Sequence, residues 1–238
     1  IFKRQLSSNP AASVLGINGT LRLIDNEIIN NAYTWFDKNL KIVSFNRQIP
    51  WLIELFKAND ELLKFVNKVF TNIGLGINSL DIKESNINDW IENHKQEDSN
   101  KINKVLETGN HYLSKISDSV PIFSIHAEEG MQTVREFIFN QIGINGYVGE
   151  METIDQSTGT CRLLTLLPAL YDAINEEATV FVDEIDNGIH PVLIKKLLLY
   201  FGNMSSKGQL IYTTHETALL DQQHLLRADE VWLTEKIS

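Results

Sequence analysis

The second half of the chain alternates short apolar runs with stretches of helical spacing. The apolar runs at 179–183, 209–213 and 229–234 are short and rich in β-branched or aromatic residues, which predicts strands. Between them, the pattern predicts a helix over CRLLTLLPALYDAI, a helix opened by Pro191 and a short helix near 216–220. Strands that alternate with helices in this way indicate parallel βαβ units. Strands that are apolar throughout also indicate a sheet covered on both faces.

The first part of the chain is patterned more weakly. Apolar positions at helical spacing, such as Ile24 and Trp35, predict a helix, and KIVSF at 41–45 predicts a short strand. An amphipathic pattern over 50–75 predicts further helix. Residues 81–118 are instead rich in Asn, Lys, Asp and Glu, which predicts a solvated helical insertion or a mobile arm.

The pattern changes again at Pro121. Residues 121–127 and 134–141 alternate or run apolar in the manner of strands, and GINGY after them predicts a turn. A cluster of Ser, Thr and Gly at 157–160 then precedes the first helix of the βαβ pattern.

Composition narrows the class of protein. The 238 residues are 43% hydrophobic, which is typical of a globular protein, and no apolar run approaches the roughly 18 residues of a membrane span. The single cysteine, Cys161, excludes an internal disulfide and, with no visible signal peptide, favours the cytoplasm. The net charge of −10, without a basic block, gives no support to DNA binding. Because the chain begins at Ile1 and still has strand character at its end, we expect it to be part of a longer protein.

Two adjacent acids, Asp183 and Glu184, end the apolar strand at 179–183. Ligands of open α/β sheets bind at the carboxyl ends of the strands, so this pair is a candidate nucleotide site. Asp183 could hold Mg²⁺, and Glu184 could polarise an attacking water. The pair could equally be a plain strand end whose acids cap the next turn.

Two further features bear on the same site. Thr213, Thr214 and His215 follow the next strand, and His215 could hydrogen-bond a phosphate at the same edge of the sheet, or be structural. Upstream, the hydroxyl and glycine residues at 157–160 would present backbone N–H groups to an anion, or serve only as a helix cap.

In this order the motifs resemble the C-terminal half of an ABC-type ATPase head, as in SMC, RecF and OLD proteins. The resemblance is narrower to the bacterial AAA-family ABC-like ATPases of abortive-infection and antiphage loci, and it covers roughly residues 150–236. The matching positions are Ser157, Gly159, Thr160, Arg162, Leu163 and Leu164, then Asp183 to Asp186, Gly188, His190 and Pro191, then Thr213 to His215, and finally Trp232, Glu235 and Lys236.

The resemblance implies an α/β fold: a P-loop NTPase head of ABC type with a mostly parallel core sheet and a helical insertion. It divides the chain into 1–45, part of the ATPase core; 46–120, the insertion; and 121–238, the C-terminal lobe. The cofactors implied are ATP and Mg²⁺. The partners implied are a second copy, joined through the ATP-binding faces, and an effector such as a nuclease or toxin.

Roles for individual residues follow from the same resemblance. Asp183 would be the Walker B aspartate that binds Mg²⁺, Glu184 the catalytic glutamate and His215 the switch histidine. Ser157, Gly159 and Thr160 would form the signature loop against ATP of the other subunit. Asp186 would begin the D-loop that reaches the partner.

One departure from the family pattern is the absence of G-x-x-x-x-G-K-[ST], since no Gly-Lys pair occurs in the sequence. We expect the phosphate-binding loop to lie N-terminal to these residues, so that this chain alone binds ATP poorly. Two other functions stay open: a ring-forming AAA+ motor, with Thr213 as its polar sensor, and a nucleotide-sensing scaffold that does not hydrolyse ATP.

Overall fold

The structure is a computed structural model that describes residues 14–21, 25–44, 49–93, 112–117, 120–128, 131–220 and 225–235. Among the residues discussed above, Ile1, Ile24, Phe45, Lys236 and residues 94–111 and 118 of the polar segment lie outside these ranges. The helices are α1 (Val14–Leu21), α2 (Glu27–Thr34), α3 (Leu52–Ala58), α4 (Asp60–Ile73), α5 (Ile87–Asn93), α6 (Thr158–Asn175) and α7 (Pro191–Gly202). The strands are β1 (Leu40–Val43), β2 (Ile77–Asn86), β3 (Tyr112–Ser117), β4 (Val120–Glu128), β5 (Met131–Ile142), β6 (Val148–Glu152), β7 (Thr179–Val182) and β8 (Gln209–Tyr212). Short 3₁₀ turns lie at Ile144–Gly146, Thr153–Asp155, Thr217–Leu219 and Ala228–Glu230, and a π-helical turn at Trp35–Asn39 follows α2.

A three-stranded parallel sheet with the order β1-β7-β8 carries the βαβ part of the chain. Val180 and Val182 of β7 are fully buried in the main core, to which α6 and α7 also contribute. The opposite face holds Ile42 and Ile211, which are 66% and 47% exposed. The prediction of a parallel α/β core is therefore confirmed, whereas the expectation of a sheet covered on both faces is wrong for the described part of the chain.

A five-stranded antiparallel sheet is the larger of the two, with β5 paired to β2, β4 and β6, and β3 on the far side of β4. The strands predicted at 121–127 and 134–141 are β4 and β5. The helical prediction for 81–118 is wrong over 81–86 and 112–117, because these residues lie in β2 and β3. A bulge between Ile77 and Ser79 breaks the alternation of β2, and its strand form depends on pairing with β5, far along the sequence.

Helices α3 and α4 join the two sheets in one core. Their buried residues (Leu52, Ile53, Phe56, Leu62, Val66, Val69, Phe70 and Ile73) belong to the same hydrophobic cluster as those of β5, α6, β7 and α7. The cluster thus crosses the boundary expected between residues 120 and 121, although the division into domains stays a prediction.

The predicted strand at 229–234 is wrong. Ala228–Glu230 forms a 3₁₀ turn, and Val231–Glu235 does not pair with β8 or with any other described strand. Trp232 and Leu233 are 88% and 85% exposed. The apolar alternation there has the pattern of a strand, but a strand needs a neighbour to bond its backbone groups.

Candidate functional site

The carboxyl ends of β7 and β8 lie side by side. The register places Val182 opposite Tyr212, so Asp183 and Glu184 leave the sheet next to Thr213 and His215. As expected for parallel neighbours, the acid pair and the histidine come together: Nε2 of His215 lies 3.8 Å from Oε1 of Glu184.

Thr213 ties the two strand ends together. Its hydroxyl donates to Oδ1 of Asp183 over 2.7 Å, and the hydroxyl oxygen, Oγ1, accepts the backbone N–H of Glu184 over 2.8 Å. The backbone N–H of Thr213 donates to the Val182 carbonyl, and its backbone carbonyl accepts the Ile185 N–H, each over 3.0 Å. The sequence identified Thr213 only as part of the Thr-Thr-His motif and as the polar sensor of the AAA+ alternative. Its bonds to both acids could not be predicted, because they depend on the register of β7 and β8.

Glu184 has a left-handed backbone with φ of +50°. For a residue with a Cβ, this conformation costs on the order of 1–3 kcal/mol and persists where surrounding bonds enforce it. The bonds here are those from its N–H to Thr213 and from the Asn187 N–H to its carbonyl, the latter 2.8 Å long. The Glu184 side chain is 51% exposed, so the strained turn presents it to solvent.

Asp186 and His190 have partners within the chain. Oδ1 of Asp186 accepts the backbone N–H of His215 over 3.3 Å, and the Asp186 carbonyl accepts the backbone N–H of Ile189 over 3.2 Å. His190 caps α7, because its Nδ1 accepts the Val192 N–H over 3.3 Å, and Pro191 follows at the first helical position. The His-Pro pair therefore starts a helix, and Asp186 joins the loop after β7 to the end of β8.

The loop before α6 lies beside this cluster. Oγ of Ser157 accepts the Thr160 N–H over 3.1 Å and lies 2.9 Å from the Thr160 hydroxyl. Ser157 therefore caps α6 and is exposed, while Thr160 is only 6% exposed and faces inward; anion binding at this helix end stays a prediction. A Cβ on Gly159 would come within 3.0 Å of the Gly188 carbonyl, so the two loops are packed against each other.

Arg162 adds a contact that sequence reasoning did not identify. Its guanidinium donates through Nη1 to Oδ1 of Asn187, and Nδ2 of Asn187 donates to Oε2 of Glu184 over 3.3 Å. The matched motif contains Arg162, but neither its partner nor the role of Asn187 can be read from the sequence.

The donor set fits a magnesium ion held mainly by a nucleotide. Asp183 and Glu184 are exposed at the sheet edge, and the described residues contain no group of three or more His, Cys, Asp or Glu placed to hold a metal by themselves. Mg²⁺ in nucleotide sites commonly takes one or two carboxylates and completes its shell with phosphates and water. Asp183, oriented by Thr213, is the side chain suited to that task.

A parallel α/β sheet with this acid pair at its carboxyl edge is the arrangement of a P-loop NTPase-like domain. Residues 3–221 match the family described as "AAA domain, putative AbiEii toxin, Type IV TA system", and the chain belongs to this family. It is therefore an ABC-like AAA-family domain linked to abortive-infection and toxin–antitoxin systems, a class that binds nucleotides and usually Mg²⁺. No curated protein matches the chain. None of the described helices combines the length and the apolar character that crossing a membrane requires.

Proposed function

We propose that the chain forms part of an ATP-hydrolysing head that works as a head-to-tail homodimer and controls an effector, such as a toxin or nuclease, in the cytoplasm. The observation that carries the proposal is the cluster at the carboxyl edge of the parallel sheet, where Asp183 and Glu184 are tied to Thr213 and Glu184 faces His215. Family membership supports the ATPase class and the link to toxin–antitoxin systems.

In this proposal the residues of the cluster have distinct tasks. Asp183 holds Mg²⁺, which on binding neutralises charge on the phosphates of ATP. Glu184 accepts a hydrogen bond from the attacking water and polarises it. His215 donates a hydrogen bond to the terminal phosphate, for which its 85% exposure leaves it accessible.

The exposure of the cluster supports a site shared between two subunits. Water must be excluded for electrostatic stabilisation to be strong, yet the Glu184 side chain is 51% exposed in this chain. A second copy would cover it with Ser157, Gly159 and its backbone N–H groups, while Thr160 braces that loop from inside. Asp186, on the loop that lies against Gly159, would approach the partner's nucleotide.

The test is Glu184→Gln in the full-length protein, compared with Glu177→Gln as a matched control. Glu177 is an exposed acid at the opposite end of β7. We expect Glu184→Gln to lower kcat by roughly 100-fold or more and to trap ATP-bound dimers, seen by light scattering after size exclusion. Glu177→Gln should hydrolyse ATP normally.

Other outcomes would distinguish the alternatives. Unchanged hydrolysis in Glu184→Gln would contradict the proposal. Dimers that form with ATP but never release phosphate would favour a nucleotide-sensing scaffold, and ATP-dependent hexamers would favour a ring-forming motor.

A further inference from the structure

Asn187 holds Glu184 at two points. The Asn187 backbone N–H donates to the Glu184 carbonyl over 2.8 Å, and its side-chain Nδ2 donates to Oε2 of the Glu184 carboxylate over 3.3 Å. The other carboxylate oxygen, Oε1, faces His215. One oxygen is thus engaged by Asn187 and the other is directed toward the open side of the site.

Arg162 determines which way the Asn187 amide points. A guanidinium has only donors, so the atom that faces it must be the amide oxygen, and this is the contact observed between Nη1 and Oδ1. The amide NH₂ is then directed to the Glu184 carboxylate. With the amide reversed, its oxygen would face the carboxylate and its NH₂ would face the guanidinium, and both contacts would be repulsive.

The backbone next to Asn187 leaves room for the guanidinium. Gly188 has φ of +72°, which favours glycine. A Cβ built on Gly188 would collide with the Arg162 side chain. Both the conformation and the space therefore require glycine at 188, and the space is filled by Arg162.

From these contacts we propose that Arg162 is a positioning residue, which sets the orientation of the Asn187 amide and through it holds the Glu184 carboxylate. The inference rests on the proposed role of Glu184 in ATP hydrolysis. Arg162 lies on α6, the helix capped by Ser157, so this helix and the hydrogen bonds through Asn187 connect the loop assigned to the partner's nucleotide with the chain's own Glu184.

Asn187→Asp in the full-length protein separates positioning from a purely structural contact. An aspartate keeps an acceptor for Arg162 and gains an ion pair with it, but it loses the donor to Glu184 and repels its carboxylate. We expect kcat to fall about tenfold or more, with the Kd of ATP within about twofold of wild type and no loss of thermal stability. Wild-type kcat in Asn187→Asp would overturn the proposal.

Arg162→Ala and Arg162→Lys test the other end of the path. Arg162→Ala should lower kcat to a similar degree, and Arg162→Lys, which keeps a cationic donor, should restore part of it. Combined with Glu184→Gln, Arg162→Ala should cause no further loss. A further loss would show that Arg162 acts on the nucleotide directly and would overturn the proposal.

Hydrogen exchange in the nucleotide-free protein gives a readout that does not depend on hydrolysis. The amides of Ile185, Asn187 and Ile189 are bonded within the loop and to Thr213. We expect them to exchange about tenfold faster in Arg162→Ala, while the amides of β5 stay unchanged. Unchanged exchange in the loop would overturn the proposal. Absence of ATP hydrolysis in the wild-type protein would instead refute the proposed function, and exchange would still decide whether Arg162 holds the loop.

Discussion

The antiparallel and the parallel sheet differ in size, in burial and in what lies at their ends. The antiparallel sheet has five strands of up to 12 residues, and its central strand β5 carries the fully buried Phe137 and Phe139. The parallel sheet has three strands of four residues, one face of which is exposed at Ile42 and Ile211. The candidate site residues that follow directly after strands (Asp183, Glu184, Thr213 and His215) all follow strands of the smaller, parallel sheet.

This difference indicates how the chain combines stability with a strained site. Glu184 has an unfavourable backbone conformation and an exposed carboxylate at the edge of the small sheet. Such strain persists only where the surrounding structure supplies compensating free energy. The larger sheet and helices α3 and α4, which share one core with the parallel sheet, contribute nearly half of the buried residues of that cluster. We therefore expect substitutions in the large sheet to change stability and substitutions at the small sheet's edge to change chemistry.

The largest effect on stability is expected from Phe137→Ala. Phe137 is fully buried and its ring stacks edge-on against Phe56, with centroids 5.5 Å apart. The cavity should lower the free energy of unfolding by about 3–5 kcal/mol, measured by urea denaturation. Tyr147→Ala, on a ring that is 74% exposed beside β6, should change it by less than about 0.5 kcal/mol. Similar values for the two variants would contradict the placement of Phe137 in the core.

A smaller effect is expected from Arg135→Met on β5. The guanidinium, with its side chain 18% exposed, pairs with Glu54 and Glu84, and Glu54 also accepts the Ser124 hydroxyl over 2.8 Å. Removing the cation leaves the partly buried Glu54 without its ion pair and Glu84 paired only with Lys57, which should cost about 2 kcal/mol near neutral pH.

The same variant should have a distinct pH dependence. The hydrogen bond from Arg135 lowers the pKa of Glu84 below its ordinary value. This stabilisation is complete above the unfolded pKa of the carboxyl and is lost as the pH falls through the lower folded value. The difference in unfolding free energy between wild type and Arg135→Met should thus narrow between about pH 6 and about pH 3, and a constant difference would argue against the ion pair.

The smallest effect on stability is expected from Thr213→Val. This variant distinguishes the roles of the two sheets most clearly, because its effect on turnover should be much larger than its effect on stability. The variant removes the donor to Asp183 and the acceptor of the Glu184 N–H, which should cost about 1 kcal/mol of unfolding free energy. ATP turnover of the full-length protein should fall by at least about tenfold, because both acids lose their support. Thr179→Val, at the other end of β7, is the control and should retain turnover. Equal turnover in the two variants would place the chemistry elsewhere.

Prediction from sequence succeeded where the signal is local. The helix opened by Pro191, the helix after Ser157 and the strands at 179–183 and 209–213 follow from apolar periodicity and capping residues. The structure contains all four, and each strand ends one residue earlier than predicted. The parallel arrangement then brings the acid pair and His215 together without further information.

Prediction failed where a residue depends on a distant partner. β2 has few apolar residues and a bulge, so only its pairing with β5 identifies it as a strand. Conversely, residues 231–235 have strand-like alternation but no described neighbour to pair with. The wrong prediction that both faces of the parallel sheet are covered has the same cause. An apolar strand pattern does not show which elements of the fold pack against each face.

The sequence by itself determined the βαβ order, the acid pair after β7 and the histidine after β8, because backbone periodicity and helix caps depend on neighbouring residues. Only the tertiary structure decided that Thr213 braces both acids and that Glu184 turns with positive φ. It also decided that Arg162 reaches Asn187 and, through it, Glu184. These contacts join residues from different elements, and their geometry is fixed by packing in a shared core, which no local pattern encodes.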